Sequence, residues 1–307
     1  MHSRQSRPSE AVAAITGDLR IRNRSRSATR VVRGYVSEAR RRALLAADRH
    51  GLAVAIPGRV AVPPIPITVI GVYRARNRQL LERLVAPARA SGATVALWAL
   101  DDMVPPLAEV TVGTGPGPRF ALLNEIVRRR PPPDDQYVVV VDDDIVLPTG
   151  VPRFVAIAAR AGLDLAMPGH LPYSHYSHQI TRRCRWAVAR LTTYVEIGPA
   201  LSISPRWRDR ILPFPEDAGL GWGTEFAWTG LAADGCRLGI VDAAPLLHTV
   251  RPGRDYDHPA EMARLEQALR DHEVPDVGTT RQRVESVQRV VATWPAWKRT
   301  PPWDVTR

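Results

Sequence analysis

Cysteine and lysine are both scarce in this 307-residue chain, and each shortage narrows what the protein can be. Only two cysteines occur, Cys184 and Cys236, which excludes a disulfide framework and favours a reducing compartment, with the cytoplasm as the expected location. No stretch approaches the roughly 18 uninterrupted apolar residues of a membrane-spanning helix. The N-terminal stretch MHSRQSRPSE also has no apolar signal-peptide core. We therefore expect no transmembrane segment and no secretory leader.

Arginine supplies nearly all of the positive charge, because Lys298 is the sole lysine. The formal net charge is +11, yet residues 1–50 alone hold twelve arginines against four acids, so the rest of the chain carries only about +3. This Ser- and Arg-rich leader is predicted to be partly disordered, with one helix around SEARRRALLAADRH. Most of the excess positive charge is confined to the leader, so nucleic acid is not the favoured partner. A leader of this kind is also compatible with peripheral contact to an anionic membrane.

Strand-like and helical patterns alternate from residue 65 onward. Strands are predicted at 65–73, 93–100, 109–112, 137–141 and 163–168, and helices from Asn77 to Ala90, over 120–130 and over 151–161. This alternation is typical of an α/β domain with a mostly parallel sheet and helices on both faces. We expect a leader over 1–60, one α/β domain over 61–275 and a Trp-rich C-terminal extension over 276–307.

Beyond Pro168 the pattern is less regular. HLPYSHYSHQITRRCRW (170–186) is predicted to be loop-rich, TYVEIGPALSIS (193–204) to be an extended strand, and GWGTEFAWTGLAADG (221–235) to be a glycine turn followed by a helix. A further strand over 236–248 ends near His248, and an amphipathic helix is predicted over 258–272. The histidines at 170, 175 and 178 have no cysteine or carboxylate beside them at zinc-ligand spacing, so their function stays open.

An acidic triplet, Asp142 to Asp144, follows the apolar strand YVVVV directly. Three adjacent carboxylates repel one another unless a cation lies among them. Side chains alternate across a strand, so Asp142 and Asp144 can point the same way. Paired hard oxygen ligands at the carboxyl edge of a sheet suit Mg²⁺ or Mn²⁺. A solvated acidic turn is the simpler alternative.

Three chemistries compete for this triplet. A phosphatase of the haloacid dehalogenase type also has an Asp-x-Asp loop after an apolar strand, but it needs a basic residue, normally lysine, and a second acidic pair. The sole lysine lies in the tail, and the later strand offers Asp242 alone. A receiver domain lacks the same lysine. The third chemistry is transfer of a sugar from a nucleotide. A nucleic-acid-associated protein acting through the arginine leader is the non-enzymatic alternative.

Several motifs resemble nucleotide-sugar glycosyltransferases of the GT-A fold. VYRARN (72–77) resembles their first-strand nucleotide-binding segment, RFALLNEIV (119–127) the helix before the Asp-x-Asp strand, and GWGTEFAW (221–228) the segment with the catalytic carboxylate. In the order SHQIT, YVEIGPALSIS, GWGTEFAW and GIVDAAPLLH, the chain more narrowly resembles the uncharacterised family called domain of unknown function 707. Glu225 stands where that family usually has Asp. The resemblance covers roughly residues 65–250.

The resemblance implies a Rossmann-like GT-A fold, a nucleotide-sugar donor, a carbohydrate or small-molecule acceptor, and Mn²⁺ or Mg²⁺ as cofactor. It implies donor contacts from Tyr73, Arg74, Arg76, Asn77, Asp101, Arg119, Asp142 and Asp143. It implies metal ligation by Asp142 and Asp144, with His248 as a third ligand. The acceptor would meet His178, Glu196, Trp222 and Gly223. Nothing in the sequence selects the donor sugar, the nucleobase or the acceptor.

Glu225 is the predicted catalytic residue. It follows the glycine-flanked turn GWG at the start of a predicted helix, where backbone can approach a substrate and a helix N-terminus favours an ionised carboxylate. A carboxylate there can take the proton of an attacking hydroxyl, which predicts inversion at the anomeric carbon. The alternative is a glutamate that only caps the helix.

Overall fold

The computed structural model describes residues 64–176, 178–185, 187–219, 221, 223–250, 258–271 and 288–293. The strands are β1 (Ile67–Tyr73), β2 (Thr94–Ala99), β3 (Thr111–Thr114), β4 (Tyr137–Val141), β5 (Ile145–Val146), β6 (Leu165–His170), β7 (Ala187–Thr192), β8 (Ala200–Ile203), β9 (Leu238–His248) and β10 (Gln288–Thr293). The helices are α1 (Arg78–Ala90), α2 (Arg119–Arg129), α3 (Val151–Arg160), α4 (Arg208–Ile211), α5 (Thr224–Leu231) and α6 (His258–Asp271).

The described strands form a sheet in the order β10-β7-β9-β6-β8-β4-β1-β2-β3, with β5 paired to β9 beside it. Pairing is parallel between β1 and both β2 and β4, between β2 and β3, and between β6 and β9. β8 is antiparallel to β4 and β6, and β7 is antiparallel to β9 and β10. Along this path only β7 and β8 are therefore reversed within the described part of the chain. The predicted α/β class with a mostly parallel sheet is confirmed.

Helices cover both faces of this sheet, as the alternation predicts. On one face, buried residues of α1 and α3 pack with Val139 and Val141 of β4. On the other face, buried residues of α2 pack with Val138 and Val140. The division follows from β geometry, because successive side chains of a strand point to opposite faces. Each fully buried aliphatic side chain contributes about 1.5–3 kcal/mol, so both layers stabilise the strand that carries the acidic triplet.

Glycine at position 71 lets β1 lie close against β4. Gly71 stands opposite Val141 in the parallel register, and a Cβ at position 71 would be 2.6 Å from the Val141 carbonyl oxygen. Real Cβ atoms do not approach a carbonyl this closely, so a larger residue would push the two strand ends apart. The ends of these two strands carry Arg74 and Asp142.

The structure corrects some of the predicted elements. The segment 193–204 forms a strand only at β8, because Pro199 has no N–H to donate to a neighbouring strand, and its carbonyl accepts the Asp142 N–H at 2.9 Å. The sequence patterns did not predict β7 or β10. β10 lies within the predicted C-terminal extension, yet it pairs with β7 of the main sheet. The leader with its predicted helix and the Trp-rich residues after 293 lie outside the described residues.

Asp242 belongs to the core of the fold. It is fully buried on β9, and Arg190 of β7 donates to both of its carboxylate oxygens, at 2.7 and 3.0 Å. The Cys184 N–H donates to the same carboxylate at 2.7 Å. This carboxylate holds two strands together.

Within the described residues, none of the helices is long and apolar enough to cross a membrane.

Candidate functional site

The carboxyl ends of β1, β2, β4, β6 and β9 share one edge of the sheet, because these strands run in the same direction. Asp101 lies just beyond β2, the acidic triplet follows β4, and β6 and β9 end in His170 and His248. The reversed strand β8 begins at this edge, so Glu196, which precedes it, is also placed there. Open α/β sheets bind their ligands at the edge formed by the strands' carboxyl ends.

Two carboxylates anchor the short segment that follows β1. Asp143 Oδ2 accepts the N–H of Arg74 at 2.7 Å, and the Asn77 side chain also bonds to this carboxylate. Asp101 Oδ1 accepts the N–H of Ala75 at 2.8 Å. Burial raises the pKa of Asp143 to about 6, although these hydrogen bonds oppose the rise. The two carboxylates thereby fix the backbone of the segment predicted to bind the donor.

The side chains of that segment lie in different surroundings. Tyr73 is fully buried, and its hydroxyl lies 3.0 Å from Thr111 Oγ1, so its side chain belongs to the core. Arg74 is half-buried and Arg76 is exposed. The two arginines therefore bring positive charge to the sheet edge, whereas the tyrosine stabilises the strand behind them.

Arg119, the first residue of α2, is bound to Asp142. Its Nε and Nη2 both donate to Asp142 Oδ1, at 2.9 and 2.6 Å. Asp142 follows Val138 and Val140 in the alternation, and these residues face α2, which explains the contact. The other oxygen, Oδ2, faces Gly198, where a Cβ would lie 3.3 Å away. Asp142 is thus committed to a charge-assisted pair with arginine.

Asp144 and His248 contact each other, although they are 104 residues apart in the chain. Asp144 Oδ2 lies 3.2 Å from His248 Nε2. The pairing of β5 with β9 places Ile145 opposite His248, and Thr249 donates to the Asp144 carbonyl through both its N–H and its hydroxyl. Burial lowers the pKa of His248, but the bond to Asp144 and the nearby carboxylates raise it above the ordinary value overall.

The predicted metal ligands are only partly brought together. Among the described residues, no group of three or more His, Cys, Asp or Glu side chains could hold a metal ion. Asp144 and His248 supply a carboxylate oxygen and an imidazole nitrogen, both of which Mn²⁺ accepts, whereas Asp142 is paired with Arg119. These two ligand atoms therefore fit a cation that is held by two protein residues. Such an arrangement is usual where phosphate oxygens and water complete the coordination of the metal.

Glu225 lies in the first turn of α5, as predicted, and both of its carboxylate oxygens are oriented. Gly223 adopts the left-handed φ of 102° that glycine tolerates, and its N–H donates to Glu225 Oε2 at 3.0 Å. The Tyr194 hydroxyl donates to Oε1 at 3.1 Å. The side chain is buried, and burial raises the pKa of Glu225 to about 7 despite these bonds. Such a carboxyl can exchange a proton near neutral pH.

The turn before α5 lies against the start of α2. A Cβ at Gly221 would be 2.6 Å from both the Phe120 ring and the Ile197 side chain, so glycine is needed for this close approach. Phe120 is the neighbour of Arg119. The charge of Glu196 raises the pKa of both Glu225 and His248. These contacts and charges place Glu225 and the acidic triplet around one region of the sheet edge.

Glu196 has protein partners on both carboxylate oxygens. Oε1 accepts the His178 N–H at 3.0 Å and the Thr181 hydroxyl at 3.3 Å, and Oε2 lies 3.5 Å from His170 Nε2. His170 is fully buried, with its Nδ1 at 2.9 Å from Ser174 Oγ. Burial alone would raise the pKa of Glu196, but His170 and His178 lower it below the ordinary value. Acceptor contact by Glu196 or His178 stays a prediction, and Trp222 lies outside the described residues.

Sequence reasoning assigned no role to Tyr194, His170 or Ser174. Ser174 Oγ contacts His170 and also accepts the His248 N–H at 2.8 Å, so it connects the two histidines. The sequence does contain a signal for Tyr194, because this residue begins the motif YVEIGPALSIS and stands two residues before Glu196. No comparable pattern pointed to the pairing of His170 with Glu196.

No known family matches the sequence of this chain, and no curated protein matches it either. Membership of the domain of unknown function 707 family stays a prediction. Among solved structures, the chain is similar to that of GalNAc-T7 with UDP, GalNAc and Mn²⁺, at 10% identity and a TM-score of 0.48, over 72% of this chain and 55% of that one. The chain thus spans about half the length of that protein.

A second similar structure is the inositol-1-phosphate CTP transferase from T. maritima. The identity is 6% and the TM-score 0.31, over 67% of this chain and 98% of that one.

Proposed function

We propose that this protein is a metal-dependent glycosyltransferase that moves a sugar from a nucleotide-diphosphate donor to an acceptor hydroxyl, with inversion. What supports the proposal is the oriented, buried carboxyl of Glu225 at the start of α5, where the preceding turn contacts Phe120 beside Arg119. The Arg119–Asp142 and Asp144–His248 pairs lie at the carboxyl ends of the neighbouring strands. Displacement by an acceptor hydroxyl needs a carboxylate that takes the hydroxyl proton. It also needs positive charge close by to stabilise the leaving diphosphate.

The donor side of the proposed site consists of the segment after β1 and the start of α2. Arg74, Arg76 and Arg119 would supply positive charge for the diphosphate, and Asn77 and Asp101 would border the nucleoside. Asp144 and His248 would hold Mn²⁺ or Mg²⁺, which neutralises charge on the leaving diphosphate when it is bound. In this proposal Asp142 acts by holding Arg119, and Asp143 by holding the segment after β1.

The acceptor side lies around α5. The acceptor oxygen forms a bond to the anomeric carbon as the bond from that carbon to the diphosphate oxygen breaks, and the hydroxyl proton passes to Glu225. The nucleoside diphosphate leaves with the bonding electron pair. Gly223, Trp222, Glu196 and His178 are the proposed surroundings of the acceptor. A single displacement of this kind inverts the anomeric configuration.

We assign this activity to the α/β domain over about 61–275, to which β10 of the C-terminal segment adds a strand. A reducing compartment, the cytoplasm, remains the proposed location, in line with the two free thiols at Cys184 and Cys236.

A thermal-shift panel tests the proposed function. The full chain is heated with UDP-, GDP- and dTDP-sugars, each with Mn²⁺ and each with EDTA. One nucleotide should raise the melting temperature in Mn²⁺ only, because a ligand stabilises the state that binds it, by about 2.7 kcal/mol at a hundredfold excess over Kd. Stabilisation by none of the donors, together with rapid turnover of a generic phosphomonoester, would instead favour a phosphatase.

Anchoring by Asp143 gives a separate prediction. Asp143→Ala removes the acceptor for the Arg74 N–H and the Asn77 side chain, so the KM for the donor should rise about tenfold while kcat changes little. Asp143→Asn keeps an oxygen for the Arg74 N–H and should restore most of the affinity. Steady-state kinetics decides, with the exposed Asp102→Ala as the matched control. An unchanged donor KM in Asp143→Ala would show that the anchor has no part in binding.

A further inference from the structure

Glu225 is held by a residue outside its own helix. Tyr194 is fully buried, and its hydroxyl donates to Glu225 Oε1 at 3.1 Å. The Tyr194 ring is fixed between two others, with centroids 4.7 Å from the His178 ring and 6.1 Å from the Phe226 ring. A buried phenol with a packed ring has one orientation available, so this hydroxyl can direct the carboxylate. The hydrogen bond is made to the ionised form of Glu225 and stabilises it.

A second carboxylate, Glu196, is connected to Tyr194 through His178: it accepts the His178 N–H at 3.0 Å, and the His178 ring lies 4.7 Å from the Tyr194 ring. Its own oxygens are taken by His178, Thr181 and the 3.5 Å contact with His170. These contacts fix the position of the carboxylate. The negative charge of Glu196 raises the pKa of both Tyr194 and Glu225. A fixed negative charge beside a buried carboxyl disfavours a second ionisation.

Two further elements bring charged groups near α5: the start of α2, where Arg119 is paired with Asp142, and α6, which packs against α5. The side chains of Glu261 and Arg264 on α6 pair with each other at 2.5 Å, and both border Gly219 in the segment before α5. The Glu225 carboxylate also accepts hydrogen bonds from neutral backbone groups, those of Gly223 and of Glu225 itself. The tyrosine and the second glutamate are thus the ionisable side chains that act most directly on Glu225 among the described residues.

We infer that Tyr194 and Glu196 are positioning residues for Glu225 that act on its protonation in opposite directions. Tyr194 orients the carboxylate and favours its ionised form, whereas Glu196, held by His170, favours the protonated form. The inference rests on the proposed role of Glu225 as the proton acceptor. Tyr194 thus opposes the effect of burial on Glu225, Glu196 adds to it, and the balance leaves a buried carboxyl that exchanges a proton near neutral pH.

The Tyr194→Phe and Glu196→Gln variants should shift the pH profile of kcat/KM in opposite directions. A general base must be ionised, so kcat/KM falls as the pH drops through the pKa of Glu225, about 7 in the wild-type protein. Tyr194→Phe removes a donor to the ionised form and should move this acid limb to higher pH by about one unit. Glu196→Gln removes the neighbouring charge and should move the limb to lower pH by roughly half a unit or more.

The experiment combines two readouts on the full chain. The first is the pH profile of kcat/KM for the wild type and both variants. The second is a ¹³C NMR titration of protein labelled at glutamate carboxyl carbons, with Glu225→Gln used to identify the Glu225 resonance. Matched controls are Tyr137→Phe, at the opposite end of β4, and the exposed Glu109→Gln, and neither should shift the titration.

The NMR readout needs no substrate, so it separates this inference from the proposed function. If sugar transfer is never detected but the Glu225 midpoint moves up in Tyr194→Phe and down in Glu196→Gln, the electrostatic inference holds and the proposed function fails. Midpoints that stay at the wild-type value, or that move in the same direction, overturn the inference. If either variant does not fold, the wild-type titration still decides, because a Glu225 midpoint at the ordinary glutamate value of about 4.3 contradicts it.

Discussion

Replacing Glu225 with glutamine is expected to lower turnover about a hundredfold or more while leaving donor binding intact, the scale of a lost general base. Glutamine keeps the size of the side chain; its amide oxygen can accept from the Gly223 N–H while its NH2 group donates to the Tyr194 hydroxyl oxygen, so the fold of α5 should be preserved. What it cannot do is take the proton of the attacking hydroxyl. We therefore expect the loss in kcat rather than in the KM for the donor.

Steady-state kinetics with a calorimetric measurement of donor affinity tests this result. Glu216→Gln, in an exposed loop, is the matched control and should behave as wild type. A helix-capping role for Glu225 predicts a different outcome, namely a lower melting temperature with near-normal turnover per folded molecule. Turnover close to wild type in Glu225→Gln would remove the assigned base from the account.

Replacing Asp144 with alanine is expected to abolish the metal-dependent part of nucleotide-diphosphate binding. Asp144 provides the carboxylate that faces His248 at 3.2 Å, and the described residues offer no third ligand to compensate for its loss. Arg119 holds Asp142 by Oδ1, and Oδ2 faces Gly198, so Asp142 is not positioned to replace the missing oxygen. Loss of a residue that only hydrogen-bonds to a metal ligand lowers metal affinity about 10–100-fold. Loss of the ligand itself should lower the affinity at least as much.

Isothermal calorimetry with Mn²⁺, repeated in EDTA, measures this effect. Wild-type protein should bind the matched nucleoside diphosphate with Mn²⁺ and lose most of that affinity in EDTA, whereas Asp144→Ala should give the weak value under both conditions. The exposed Asp135→Ala, just before β4, is the control. Wild-type binding that is equally strong in EDTA would contradict the metal assignment.

The strands and helices before residue 170 follow closely from periodicity and from the residues that end each element. The unbroken YVVVV run predicted a buried strand, and the triplet after it lies at the expected sheet edge. The two apolar layers are visible in the alternation of Val138 to Val141. Local patterns of this kind suffice because neighbouring residues determine them.

The remaining features depend on contacts between residues distant in sequence. The resemblance implies that Arg119 contacts the donor, but nothing in its own segment shows that it holds Asp142. The pairing of β10 with β7 joins residues about a hundred positions apart, and neither segment has a strong strand pattern. The contact of His170 with Glu196 likewise needs the antiparallel placement of β8 between β4 and β6. Local periodicity carries no information about such pairings.

The most direct test of the central claim is to follow a nucleotide sugar by ¹H NMR in the presence of the full chain and Mn²⁺, with water as a slow acceptor and a mixture of small carbohydrates as the better one. The account predicts cleavage of the bond between the anomeric carbon and the diphosphate. The anomeric signal of the donor should disappear, nucleoside diphosphate should accumulate, and the sugar first formed should carry the anomeric configuration opposite to that of the donor. Release of sugar 1-phosphate with nucleoside monophosphate, a product of retained configuration, or a donor that stays intact would each contradict it.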